Sequence, residues 1–299
     1  MKKIKFIGFV ILMIICQLSF SQPMFLALKN KGDSLRNEGN LKEAIVEYRK
    51  LNFQKPDDKN ILYNYCCALS LFGQADSCFK YLNKYLKIDT TVRVLMDPDF
   101  CPMRREKGWN NFENYVVNLL KIKYNNPYKN IQFAKEIWKL NAFDQLNFTE
   151  IEIAARKTGP NSSVVRGIWE GKFIIGQHIQ QELDQLITQF GFPRKKDVGQ
   201  EAVNSAFRII LHSNSNLINK HLPSIKQLCI EKELPWERYA AAYDRALWYE
   251  EKPQKYGTHT QFNELTNSEE LYPLEDPEKV DLWRKELGLE LLKDYLARF

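Results

Sequence analysis

The sequence predicts an all-α protein: a short array of helical hairpins followed by a mostly helical domain with a small β-hairpin loop. Three observations carry this expectation. Apolar residues recur in one-sided stripes at helical spacing along most of the chain. A 34-residue internal period runs through the first third, pairing Gly39 with Gly73, Ala44 with Cys78 and Tyr48 with Leu82. Glycine (13) and proline (12) are too sparse in 299 residues for a collagen-like or disordered chain, while 44% hydrophobic residues suit a packed core. The length suits about two domains.

Residues 1–21 read as a cleaved export signal. Lys2, Lys3 and Lys5 make its positive start, Ile4 to Ile15 is almost wholly apolar, and Ser19-Phe20-Ser21 offers small residues at a cleavage site. The apolar run is too short to stay as a comfortable membrane span. Cys16 follows Ile15 rather than the small residue that lipid attachment needs. The Ser-Phe-Ser-Gln ending resembles that of proteins exported by Bacteroidota, which places the mature chain, from Gln22 onward, in the periplasm or outside the cell. No later hydrophobic stretch is long enough to span a membrane. Of 43 basic residues three lie in this segment, leaving 40 against 37 acidic ones. So balanced a charge argues against nucleic acid as a partner.

The repeat occupies residues 22–126. Counting from Phe25, the eighth position is Gly32, the twentieth Ala44, the twenty-fourth Tyr48 and the thirty-second Pro56. Two antiparallel helices approach closely only where side chains are small, and proline stops the second of them. This pattern resembles the tetratricopeptide repeat. A second unit, Lys59–Val92, puts Cys66 and Cys78 at the small positions. A third, Arg93–Asn126, is degenerate, and its Asp97-Pro98-Asp99-Phe100 and Arg104…Trp109 resemble the segment that closes such arrays in exported proteins. The resemblance implies a protein or peptide partner held on the first helix of each unit. By position that groove takes Leu26, Lys29, Asp33, Arg36 and Asn37, then Asn60, Tyr63, Cys67, Ser70 and Leu71. The face lacks the basic cluster of carboxylate-clamping members, and the protein's own second domain is an equal candidate for its occupant. Cys66 and Cys78 fall where paired helices approach, so an oxidising compartment could join them in a disulfide; small apolar fillers are the even alternative. No cysteine pair or His–Cys cluster has metal-ligand spacing, and neither a metal nor a cofactor is expected.

Residues 127–299 form the second domain. Helical stripes run through Ile131–Leu140, through Ile179–Phe190 up to Gly191, from Ala202 to Ile210, over Leu217–Lys232 and over Trp236–Glu250. Asp197 and Gln200 suggest a capping box at the start of the third of these. Asp276-Pro277 opens a last helix that Gly288 ends. Tyr256–Phe262 suggests one strand of a hairpin. Phe190-Gly191-Phe192-Pro193, Leu211-His212, Asp244-Arg245, Lys252-Pro253-Gln254-Lys255-Tyr256-Gly257-Thr258 and Pro273-Leu274-Glu275-Asp276-Pro277-Glu278 follow in an order that resembles a bacterial domain family of unassigned function, over about residues 130–299. Members of that family usually carry Gln-His at Leu211-His212 and Gln at His259.

Candidate chemistry centres on Asp244, which lies beside the apolar stripe of its helix and so needs a partner. His212, Tyr256 and His259 are the candidates. A His212–Asp244 pair would make a general base; the competing reading is a clamp tying loop to helix. With Arg245, Gln254 and Thr258 these residues define a conceivable cleft for a substrate or small ligand. His178 and His221 read as surface or capping residues, and Arg194-Lys195-Lys196 as a solvated charge run. No GxSxG, P-loop, HExxH or GxGxxG motif occurs. The sequence therefore favours an exported protein–protein interaction or scaffold protein over an enzyme, with an enzyme or small-ligand receptor as the alternative.

Overall fold

The structure is a computed structural model that describes residues 27–263 and 268–298. The expected export signal, and Leu26 of the expected groove, lie outside the described residues. The chain is 71% helical, and a two-stranded antiparallel ribbon is the only sheet among the described residues. No helix among the described residues is long and apolar enough to cross a membrane.

Contacts divide the chain into two compact units. The first takes the residues up to Asn126 together with Gln145–Lys172; the second takes Pro127–Asp144 and everything from Phe173 on. One division falls between Asn126 and Pro127, and Gln145–Lys172 packs with the first unit.

In the first unit a helix over 27–37 (α1) is followed by α2 (Leu41–Gln54), α3 (Lys59–Leu71) and α4 (Ala75–Ile88). Short connections force neighbouring helices to run antiparallel. Gly39 and Gly73 make two of the turns in the left-handed backbone conformation, and Asp58 caps α3 by accepting the Asn60 and Ile61 amides. The close contacts fall where the repeat asks for them. A methyl on Gly32 would lie 3.1 Å from the Tyr48 ring, and Ala44, Tyr48, Cys66 and Cys78 are fully buried. Cys66 and Cys78 are free thiols rather than a disulfide; the Cys78 Sγ–H points at the Cys66 carbonyl oxygen, 3.5 Å away. Beyond α4 come α5 (Arg93–Met96), two 3-10 turns (Pro98–Phe100 and Pro102–Arg105) and α6 (Trp109–Lys123). Trp109 and Phe112, too bulky for a third tight hairpin, pack with their rings tilted and centroids 5.7 Å apart, and the Arg104 guanidinium lies 4.7 Å from the Trp109 ring centre. α8 (Phe148–Thr158) and the start of the 28-residue α9 (Ser163–Phe190) add a small core of Ile151, Ala154 and Val165.

The second unit contains α7 (Ile131–Asp144), residues 173–190 of α9, α10 (Lys195–Val198), α11 (Gln200–Leu211), α12 (Ser215–Ile230) and α13 (Trp236–Tyr249). Trp138, Leu183, Phe207, Ile210, Ile225 and Leu228 form its core. The expected capping box is absent. Asp197 sits inside α10, and Gly199, in the left-handed region, precedes α11 without a side-chain cap. The ribbon pairs β1 (Thr260–Asn263) with β2 (Ser268–Leu271), Thr260 opposite Leu271. It begins later than expected because Tyr256–His259 are held elsewhere. Asp276 accepts the Glu278 and Lys279 amides ahead of α14 (Val280–Glu286), Gly288 ends that helix, and α15 (Leu292–Leu296) closes the described chain.

Candidate functional site

Asp244 is fully buried on α13, and its partner is a loop backbone rather than a histidine. Its Oδ1 accepts the Lys255 and Tyr256 amides at 2.9 and 3.0 Å. Its Oδ2 accepts the Thr258 amide at 3.1 Å and the Thr258 hydroxyl at 2.9 Å. Burial pushes the carboxyl up, and these donors pull it back. Gln254, also fully buried, completes the loop. Its Oε1 accepts the His259 amide, and its Nε2 donates to the His259 and Tyr272 carbonyls at 2.9 and 2.8 Å. Arg284 donates to the Tyr256 carbonyl at 2.6 Å and to the Glu290 carbonyl at 2.7 Å. Asp244, Gln254, Tyr256 and Thr258 do come together as expected. They form a sealed knot fastening α13 to the ribbon and α14, not an open cleft.

The other members of the expected cluster lie apart from Asp244's carboxylate. Arg245 stacks over Trp248, 5.3 Å from its centroid. Burial first, and then the Arg245 charge, push the His259 imidazole down to about 4, so the ring is neutral at pH 7. His212 pairs with a different carboxylate: its Nδ1 lies 3.0 Å from Oδ2 of Asp144, which is buried at the end of α7. The expected His212–Asp244 pair is therefore corrected to His212–Asp144. His221 is corrected too. It is buried, with Nε2 2.8 Å from Asp184 on α9, and burial holds its imidazole below the usual value although Asp184 opposes this.

The expected partner groove of the first unit faces the chain's own 93–105 segment. The Tyr63 hydroxyl donates to Asp97 at 2.6 Å, Ser70 donates to the Asp99 carbonyl at 2.6 Å, Arg36 pairs with Asp99, and the Arg93 guanidinium lies 4.1 Å from the Tyr63 ring centre. Asp33 accepts from Tyr48 and Asn64. Lys29 and Asn60 do not join this lock. Cys67, Asp97 and Asp99 bring potential metal-ligand atoms within 4.8 Å of one another. Both carboxylates already have guanidinium partners, since Arg93 lies 3.6 Å from Asp97. Burial, then the two acidic neighbours, hold the Cys67 thiol well above its usual range. That donor set suits an internal ionic lock, not a cation.

An open site lies in the second unit between α9 and the start of α12, a cleft of about 510 Å³. Its walls carry five side-chain amides, from Gln177, Gln180, Gln181, Asn214 and Asn216, together with His178, Leu217 and the Asp184–Lys220 pair. Lys220 reaches both Asp184 oxygens at 2.7 Å. Against the effect of burial, the hydrogen bonds from Lys220 and His221 hold that carboxyl below its ordinary value. The only carboxylate of the cleft is thus neutralised from within. Asn214 caps α12 by accepting the Leu217 amide, and Gln180 donates to the His212 carbonyl. The amides of Gln177, Gln181 and Asn216 make no hydrogen bond among the described residues. The cleft is thus net-neutral and amide-rich, and its Asp184 pairs with His221.

The geometry defines a helical protein with a polar ligand-sized cleft in its C-terminal unit. Residues 168–299 match the sequence model of a family of unknown function (DUF6624). No curated protein and no solved structure matches the chain.

Sequence reasoning reached His212 but missed its partner. Asn141 and Asp144 continue the stripe of Ala134, Ile137 and Trp138, and a carboxylate in that position signals a buried pair. The cleft amides left no such signal, because lone glutamines and asparagines on helices read as solvated faces.

Proposed function

We propose that this is an exported binding protein whose C-terminal unit takes a small, neutral, polyhydroxylated ligand of the saccharide class. The observation that carries the reading is the amide-lined cleft. Each amide offers a donor and an acceptor side by side, matching a pair of neighbouring hydroxyls. Its single charged pair is internally satisfied, which disfavours an ionic ligand, and about 510 Å³ falls within the usual size of ligand pockets. The first unit then serves as a tetratricopeptide-type platform. Its antiparallel hairpins and the buried Gly32, Ala44 and Tyr48 contacts support that assignment. A protein partner at the hairpin groove would have to displace the Asp97–Phe100 turn, so the interaction role falls to other surfaces. Export rests on the signal-like residues 1–21 and implies a mature N-terminus at Gln22.

Titration of the mature chain with a panel of mono- and disaccharides, followed by calorimetry, tests the reading. The exposed variants Gln177→Ala, Gln181→Ala and Asn216→Ala should each weaken binding by about tenfold, the loss of one or two hydrogen bonds. Absence of any saccharide binding, or binding indifferent to all three changes, would sink it. The His212–Asp144 pair favours a second reading, catalysis on the bound ligand. The carboxylate on Nδ1 orients the ring and leaves Nε2 for proton transfer. In that case His212→Gln abolishes turnover while ligand binding persists.

A further inference from the structure

A second cleft in the C-terminal unit, about 630 Å³ in volume, has the opposite chemistry. It lies where α12 ends and where α11 and α13 begin. Three cations, Lys195, Lys232 and Arg238, line it together with the indole of Trp236 and the amides of Gln200 and Asn204. The one carboxylate in the wall, Glu233, is already engaged: it accepts the Lys195 amide at 2.8 Å and lies 3.9 Å from Arg194. Lys232 and Arg238 have no carboxylate partner among the described residues. The Arg238 guanidinium lies over the Phe207 ring at 5.2 Å, and the Lys195 ammonium rests on the Lys232 carbonyl at 3.1 Å. These three cations line a space large enough for a ligand, against the single carboxylate of Glu233.

We propose that this cleft binds a small organic phosphate carrying a planar ring, the chemistry of a nucleotide. Lys232 and Arg238 meet the phosphate, Arg238 with its fork of donors. Trp236 supplies an aromatic wall for the ring, and Gln200 and Asn204 can read its polar edge. The first amides of α11 and α13, which no side chain caps, add positive potential to a site that the cavity and its cations define. Unlike the α9–α12 cleft, where Lys220 neutralises Asp184, this one has charge to offer a ligand.

Calorimetric titration of the full chain with AMP, with adenosine and with inorganic phosphate tests the proposal. AMP should bind, and inorganic phosphate and adenosine should each bind at least tenfold more weakly, since each supplies half of the contacts. Lys232→Gln and Arg238→Gln replace exposed side chains, so circular dichroism should match the parent while AMP affinity falls by tenfold or more in each. Raising the salt concentration should weaken AMP binding further. No binding of AMP, or binding unchanged in both variants, overturns the site. Inorganic phosphate binding as tightly as AMP overturns the assignment of the ring.

Discussion

Asp244→Asn tests the clamp reading, in which Asp244 fastens the 255–258 loop to α13. The carboxylate accepts on both oxygens, with Lys255 and Tyr256 amides on one side and the Thr258 amide and hydroxyl on the other. An asparagine side chain has nearly the same shape but one acceptor oxygen. If that oxygen serves the Thr258 side, the new amine faces the Lys255 and Tyr256 N–H groups. Two buried donors, the Lys255 N–H and the new amide, then face each other without an acceptor, while Tyr256 keeps only its longer contact of 3.2 Å to the other oxygen. At about 1–3 kcal/mol for each unsatisfied buried group, the loss is about 2–6 kcal/mol. The opposite flip exposes the Thr258 pair to the same penalty. In a unit of this size a loss near 4 kcal/mol lowers the melting temperature by roughly 8–16 °C. The assay is thermal unfolding followed by circular dichroism, with hydrogen exchange at Lys255, Tyr256 and Thr258 as the local readout. The expected result is a large drop in melting temperature and faster exchange at those three amides. A variant within about 1 kcal/mol of the parent, with the three amides still protected, would refute the clamp and return Asp244 to the list of reactive groups.

Two further outcomes follow from the same knot. Gly257 has φ +70°, and a methyl there would come within 2.6 Å of Leu292 Cδ1, so Gly257→Ala should cost about 1–3 kcal/mol, read by urea denaturation. His259 has its folded value lowered to about 4 from an ordinary 6.5. Its contribution to stability is therefore present in full above pH 6.5 and is lost as the pH falls toward 4, because the unfolded chain takes up the proton first. The ceiling is about 3 kcal/mol, reduced by solvent screening because the ring is only partly buried. The stability difference between the parent and His259→Gln, measured by denaturation across pH 4–7, should show this slope; a difference independent of pH would contradict it.

Much of the fold was legible in the sequence because helices report themselves locally. The 34-residue period, Gly32 against Tyr48 and the stop at Pro56 need only neighbouring side chains to be understood, and the hairpins stand where they point. The stripes through Ile137 and Trp138 and through Ala202 to Ile210 likewise mark faces that had to be buried. Even the cluster of Asp244, Gln254, Tyr256 and Thr258 was visible as a group. What its members do was not, because backbone amides have no letter of their own in a sequence. Asp244 answers to three N–H groups and one hydroxyl, and the three amides could have belonged to any residues in the same loop conformation.

Pairings across the chain were beyond reach for a related reason. His212 meets Asp144 through the packing of α11 on α7, 68 residues earlier, while Asp244, closer in sequence, faces another way. The groove of the first unit is occupied because a proline-rich turn at 97–102 folds back onto α3, a matter of chain path rather than composition. Both clefts of the second unit arise where helix ends meet, from amides and cations that look like ordinary surface residues one at a time. By itself the sequence determined which segments are helices and which of their faces are apolar, since those depend on local spacing. The tertiary structure alone decided which polar groups meet, because hydrogen-bond partners are selected by position in space.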